Sequence, residues 1–156
     1  LFIAIGIFGM GLLLGLDTTV AQAFGAGDRE ECDRWLVGGL WLAMIATAPL
    51  ALLMVVVGLA LPRFGFHPDV LGHVQAYFPI VCTSLPLLLG YAALRRYLQA
   101  LSRVGTIAFT LVTANLVNVL VNWVLIYGIG PFPELGVRGA AWATVVSRIY
   151  MVTVLA

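Results

Sequence analysis

The sequence predicts an all-α fold, a polytopic membrane helix bundle, on three observations. First, the 156 residues are 62% hydrophobic and 10% charged, with a mean hydropathy of +1.07. Soluble domains run at about 45–50% apolar and about 25% charged, and one of this length leaves roughly a third of its unfolded surface in water. Second, the apolar residues come in long uncharged runs separated by short segments rich in Arg, Asp, Gly and Pro. Third, strict apolar/polar alternation is absent, which excludes a β-barrel. An ordinary soluble domain, a disordered chain and a nucleic-acid binder are excluded with it, and membrane lipid is the partner the composition implies. About five crossings of roughly 20 residues fit the length.

The crossings are expected at about residues 1–26, 35–62, 69–102, 106–129 and 137–156, with no soluble domain. Leu1 to Leu16 is uncharged and runs on to Gly25-Ala26-Gly27; Asp28 to Arg34 is read as the first loop. Trp35 to Pro62 holds 28 residues without a charge, enough to cross with tilt. Arg63 to Asp69 is the second loop, and Asp69 after Pro68 suits a helix start. The third crossing contains Pro79 and Pro86, which are expected to kink it, and ends in Arg95-Arg96-Tyr97 with Gly105 as a stop. The fourth ends at Ile129, before the Gly130–Gly136 link, and the fifth follows. Gly11 and Gly15, with Gly6 nearby, form a small-xxx-small step suited to close helix approach. No basic segment precedes the first apolar run, so it is not read as a signal peptide. Leu1 is not a start methionine and the last residues stop inside a helical pattern, so the chain is expected to be a piece of a longer protein.

Orientation follows from arginine. The sequence has 8 basic residues, all Arg. Arg29, Arg34, Arg95, Arg96 and Arg103 fall in loops one and three; Arg63 and Arg138 fall in loops two and four. Loops 27–34 and 95–105 are therefore expected in the cytoplasm. Trp35, Tyr97 and Tyr127 lie where an aromatic belt would put them.

Three groups of residues stand out for chemistry. Asn115, Asn118 and Asn122 fall within about 60° of one another on the fourth helix. Such a stripe is either interhelical glue or the lining of a polar cavity. Asn122 lies roughly 9 Å below the outer end of its helix, and Thr144 roughly 9 Å below the start of the next. Asp17 and Arg148 are the only charges deep inside the crossings, each about 15 Å in; they are a candidate pair across the bundle, the alternative being that each snorkels to the inner surface. Cys32 reads as an incidental loop thiol, Cys82 as apolar filler, and His67 and His73 as solvent-facing. No catalytic triad, paired acids, phosphate loop or metal spacing is present, so neither an enzyme nor a cofactor is expected.

Four ordered stretches resemble the multidrug and toxic compound extrusion (MATE) family. They are Gly15-Leu16-Asp17-Thr18-Thr19 with Gln22 to Asp28; Arg95-Arg96-Tyr97-Leu98-Gln99; Ala114-Asn115-Leu116-Val117-Asn118 through Asn122 to Gly128; and Leu135-Gly136-Val137-Arg138-Gly139-Ala140-Ala141-Trp142-Ala143-Thr144. The resemblance implies helices two to six of a six-helix MATE lobe, in a twelve-helix antiporter of the plasma (inner) membrane. Such antiporters export small organic, often cationic, compounds in exchange for H+ or Na+. It implies a coupling-cation or proton site at Asn118, Asn122 and Thr144, with Asn115 lining the cavity, possible Na+ being the only metal. That site would be completed by an acid on the missing first helix. The remaining partner implied is the C-terminal lobe of the same chain, without which the segment should not transport. The rival readings are a lipid-linked oligosaccharide flippase of related architecture, with a wider and more basic cavity, and a structural bundle without transport.

Overall fold

The computed structural model describes residues 2–64, 68–130 and 133–156. His67 and the side chain of Asp69, with their expected roles, lie outside the described residues. Every described element is helical: α1 (Phe2–Leu12), α2 (Gly15–Gly25), α3 (Arg29–Ala60), a 3-10 turn at Leu61–Phe64, α4 (Pro68–Thr83), α5 (Leu85–Ala100), α6 (Val104–Tyr127) and α7 (Val137–Leu155).

The first expected crossing is broken at Leu13–Leu14 into α1 and α2, although the pair still reads as one apolar span. There the ladder shortens to i→i+3 bonds, with the Leu13 and Leu14 amides donating to Met10 and Gly11. Gly11 and Gly15 flank this turn, and a Cβ on either would meet nothing. They loosen the helix, glycine being a poor helix former. The close approaches expected of them fall to Gly6 and Gly9, where a Cβ would press on Leu88, Leu50 and Leu89.

α3 begins six residues earlier than expected, so most of the first loop is helix. The Asp28 carboxylate accepts from the Glu31 amide at 3.0 Å, Glu30 and Glu31 occupy the positive end of the helix dipole, and Arg34 pairs with Glu30 one turn on at 2.6 Å. Only a tight turn remains between α2 and α3, closed by Gly27 at φ +80° and by the Asp28 amide bonding back to the Ala23 carbonyl. Cys32 is accordingly a buried core residue of α3 rather than a loop thiol.

The third expected crossing is two helices that meet at 48°. The break falls at Ser84, two residues ahead of Pro86. Pro86 has no amide for the Cys82 carbonyl and stands in the first turn of α5, where a proline costs no intrahelical bond, so the chain restarts there as a new helix. The hydroxyls of Thr83 and Ser84 donate to the Ile80 and Val81 carbonyls, both at 2.6 Å. Pro79, in contrast, sits inside an otherwise intact α4.

The core centres on α5. One apolar cluster joins Leu85, Leu89, Ala92 and Ala93 of α5 to Leu13, Leu16 and Val20 of the first pair and to Ala43, Leu50 and Met54 of α3. A second joins Tyr91, Leu94 and Leu98 to Ile107 of α6 and Leu155 of α7. Small residues let the backbones close: a Cβ on Gly139 of α7 would stand 2.6 Å from the Leu125 carbonyl oxygen of α6. Outward faces are apolar, with Ile45, Leu52, Phe109, Leu116 and Trp123 exposed, as lipid requires of a bundle. Length and apolarity qualify the α1–α2 pair, α3 and α6 as spans, and the bent α4–α5 pair makes a fourth. Of the five expected crossings, α7, which carries Arg138 and Arg148, does not reach that measure.

Gly139→Ala should lower stability by about 1–3 kcal/mol, because its methyl meets backbone that cannot yield. Gly90→Ala on α5, where a Cβ meets open space, should be neutral or stabilising by about 0.5–1 kcal/mol. Thermal unfolding in detergent checks both.

Candidate functional site

Two polar ties cross the bundle, and they divide Asp17 and Arg148 between different partners. On α2 and α5, the Arg96 guanidinium bonds the Asp17 carboxylate, with side chains 21% and 37% exposed. The other Asp17 oxygen, Oδ1, is buried without a partner among the described residues. On α7, Arg148 donates through Nη1 to Ser84 Oγ at the α4–α5 break. Its guanidinium carbon lies 4.7 Å from the centroid of the Phe2 ring, a cation–π distance.

The candidate pair of Asp17 with Arg148 is therefore corrected. Ser84 and Arg96 are twelve residues apart on one helix, so the two ties sit about 18 Å apart along α5. Depth arithmetic along separate helices placed both charges well inside the bundle but left their lateral neighbours open. Arg96 falls among the loop arginines of the sequence, and Ser84 carries no signal beyond standing two residues before a proline.

The carboxamides of α6 separate into two kinds. Asn115 is exposed and turns back on its own helix, donating to the Leu111 carbonyl at 2.8 Å. Asn118 and Asn122 are half-buried, and the Asn122 amide donates to Asn118 Oδ1 at 2.9 Å. Thr144 of α7, also half-buried, donates to the Ala140 carbonyl at 3.1 Å and bonds neither asparagine. Its level is nonetheless theirs. Gly139 rests on Leu125, and five residues beyond it on an antiparallel neighbour is about 7.5 Å. That sets Thr144 opposite Leu120, midway between Asn118 and Asn122. The Thr144 hydroxyl proton is spent on its own helix, which leaves its oxygen lone pairs as acceptors.

At the end of the molecule where α2 meets α3 and α5 meets α6, the two arginine-bearing turns come together. Tyr97 donates its hydroxyl to Asp33 at 2.6 Å, and Phe24, Arg29, Cys32, Asp33, Leu98 and Arg103 line a cleft of about 290 Å³ with it. No group of three or more His, Cys, Asp or Glu side chains that could hold a metal is found among the described residues.

The MatE family model matches residues 1–124. This chain belongs to the MatE family. It is a multi-pass membrane protein of a transporter family, not an enzyme. It is 34% identical over 145 residues to a probable multidrug resistance protein NorM of Bradyrhizobium diazoefficiens, covering 88% of this chain and 29% of that one. A protein of the same description from Deinococcus radiodurans is 34% identical over 149 residues, covering 94% and 32%. This MatE chain thus spans about a third of the length of such relatives. Among solved structures, the inward-facing conformation of a multidrug resistance MATE family transporter superposes with a TM-score of 0.86. That likeness covers 99% of this chain and 34% of the other, at 20% identity, and it establishes the fold.

Asp17→Asn should cost about 1–3 kcal/mol by leaving the Arg96 charge without its partner inside the bundle, discounted for the exposure of the pair. In a double-mutant cycle with Arg96→Gln, the two losses should not add. Ser84→Ala should cost about 1–3 kcal/mol because Arg148 loses its acceptor. Both are read from detergent unfolding curves.

Proposed function

We propose that this chain forms part of one lobe of a secondary antiporter that exports small organic, often cationic, compounds against H+ or Na+. Its coupling site would be Asn118, Asn122 and Thr144, with Asn115 at the rim. The observation that carries the reading is the contact between two half-buried carboxamides one turn apart on α6, at the level of the Thr144 hydroxyl. A hydrogen-bonded amide pair presents one carbonyl oxygen already used as an acceptor and one, Asn122 Oδ1, outside that bond. With Thr144 Oγ1 this makes a neutral oxygen set, the donor type that suits a hard cation. Being neutral, it would need a carboxylate from another helix to compensate a bound ion or to carry a proton.

Coupling would then work by differential affinity. An ion that binds one arrangement of the helices more tightly shifts the population toward it, and a substrate that prefers the other arrangement shifts it back. The broken α1–α2 and α4–α5 pairs are the elements whose packing such a shift would alter. The two arginine-rich turns would face the cytoplasm of a plasma (inner) membrane, which agrees with their meeting at one end of the bundle. These residues by themselves are not expected to enclose a substrate. The supporting fact is that they span about a third of the length of their relatives.

In the full-length transporter, Asn122→Leu should lower ion-driven efflux by at least tenfold at unchanged expression and unfolding temperature. Efflux equal to the parent's would overturn the assignment. Asn115→Leu, whose amide bonds its own helix, should lower efflux less than threefold.

A further inference from the structure

We infer that the cleft between the α2–α3 and α5–α6 turns is a binding site for the phosphodiester headgroup of an anionic phospholipid. The cleft is built where four helix ends converge. Phe24 comes from the end of α2, Arg29, Cys32 and Asp33 from the start of α3, Tyr97, Leu98 and Leu101 from the end of α5, and Arg103 from the turn before α6. Its lining is divided about evenly between polar and apolar character, unlike the lipid-facing grooves elsewhere on the molecule. That division is what a phospholipid offers at its glycerol level.

The charges favour an anion. Among the described residues, neither Arg29 nor Arg103 makes an ion pair; Arg34 and Arg96 are the arginines with carboxylate partners. The single carboxylate in the lining, Asp33, is already an acceptor for the Tyr97 hydroxyl at 2.6 Å. Two guanidinium groups therefore remain for a ligand, and their planar forks match phosphate oxygens.

The position favours a lipid over a soluble phosphate. Leu98 and Leu101 form an apolar wall, and Phe24, 42% exposed, adds an aromatic face to the same cleft. A glycerol backbone and its first acyl carbons can lie on that wall while the phosphate meets the arginines. Basic pockets at the ends of membrane helices are suited to anionic headgroups, each arginine contributing about a fivefold gain near the surface.

The turn itself is stiff. Ser102 stands at φ +60°, and the Arg103 amide bonds back to the Leu98 carbonyl at 2.8 Å, a helix-ending motif that fixes the backbone of Arg103. Across the cleft, Arg29 is the first residue of a helix capped by Asp28. Both arginines thus project from fixed backbone, which reduces the ordering needed on binding.

The test uses the purified, delipidated chain in a neutral detergent, followed by native mass spectrometry. The probes are dioleoylphosphatidylglycerol, dioleoylphosphatidylcholine and glycerol 3-phosphate. Phosphatidylglycerol should bind at least tenfold more tightly than phosphatidylcholine, and weaken as salt rises, a readout that needs no variant. The double variant Arg29→Gln with Arg103→Gln should lose roughly 10- to 100-fold in phosphatidylglycerol affinity. Arg34→Gln, whose charge is paired with Glu30, should stay within threefold of the parent. Equal affinity for the two lipids, no loss in the double variant, or an equal loss in Arg34→Gln would overturn the site. Glycerol 3-phosphate binding as tightly as the lipid would assign the cleft to a soluble phosphate ester and overturn the lipid reading. None of these outcomes depends on transport, so failure here leaves the antiporter reading untouched.

Discussion

The bundle depends on how it handles the break at Ser84. Where α4 stops, carbonyls of its last turn lose their i+4 amides, and each unpaired polar group costs several kcal/mol in lipid. The Thr83 hydroxyl covers the Ile80 carbonyl, and the Ser84 hydroxyl joins the Ser84 amide on the Val81 carbonyl. Ser84 Oγ then serves a second time, as the acceptor for Arg148. One serine thereby closes the last turn of α4 and holds a charge on α7. Arg148 in turn reaches the Phe2 ring on α1, so a single guanidinium links the first helix, the bent pair and the last helix. Removing Ser84 leaves the guanidinium without this acceptor, and the two contacts together explain how the charge can sit inside an apolar bundle.

The helix content and the order of the elements were legible because hydrophobic runs of this length have one stable form in lipid. What was not legible is instructive in its particulars. Asp28 to Arg34 reads as a loop by charge, yet Asp28-Arg29-Glu30-Glu31 carries an acidic cap followed three residues later by glutamate, a helix-start pattern. In this stretch the helix-start pattern and the low hydropathy point in opposite directions. The break at Leu13–Leu14 had only the neighbouring glycines to announce it, and glycines in membrane helices more often mark close packing. Gly9 and Gly139 do mark close packing, and the residues they touch distinguish the two uses.

The candidate site was partly legible. Periodicity on one helix correctly joined Asn118 to Asn122, because i and i+4 positions are neighbours on any α-helix. Asn115 falls on the same face by periodicity, and its amide bonds its own backbone. Partners on different helices were beyond periodicity. The pairing of Asp17 with Arg96 depends on α2 lying beside α5, and no residue pattern within either helix states that adjacency. Long side chains add to the difficulty, since Arg96 can reach inward from a position near its helix end.

The α1–α2 and α4–α5 pairs are each a crossing made of two short rods rather than one long one. The ion pair of Asp17 with Arg96 joins the two rods that lie on the same side of both breaks. The two breaks are therefore tied together on one side, because α2 and α5 share this ion pair as well as the apolar cluster of Leu16, Val20, Leu89 and Ala92. The carboxylate is thus a strut set between two local backbone defects.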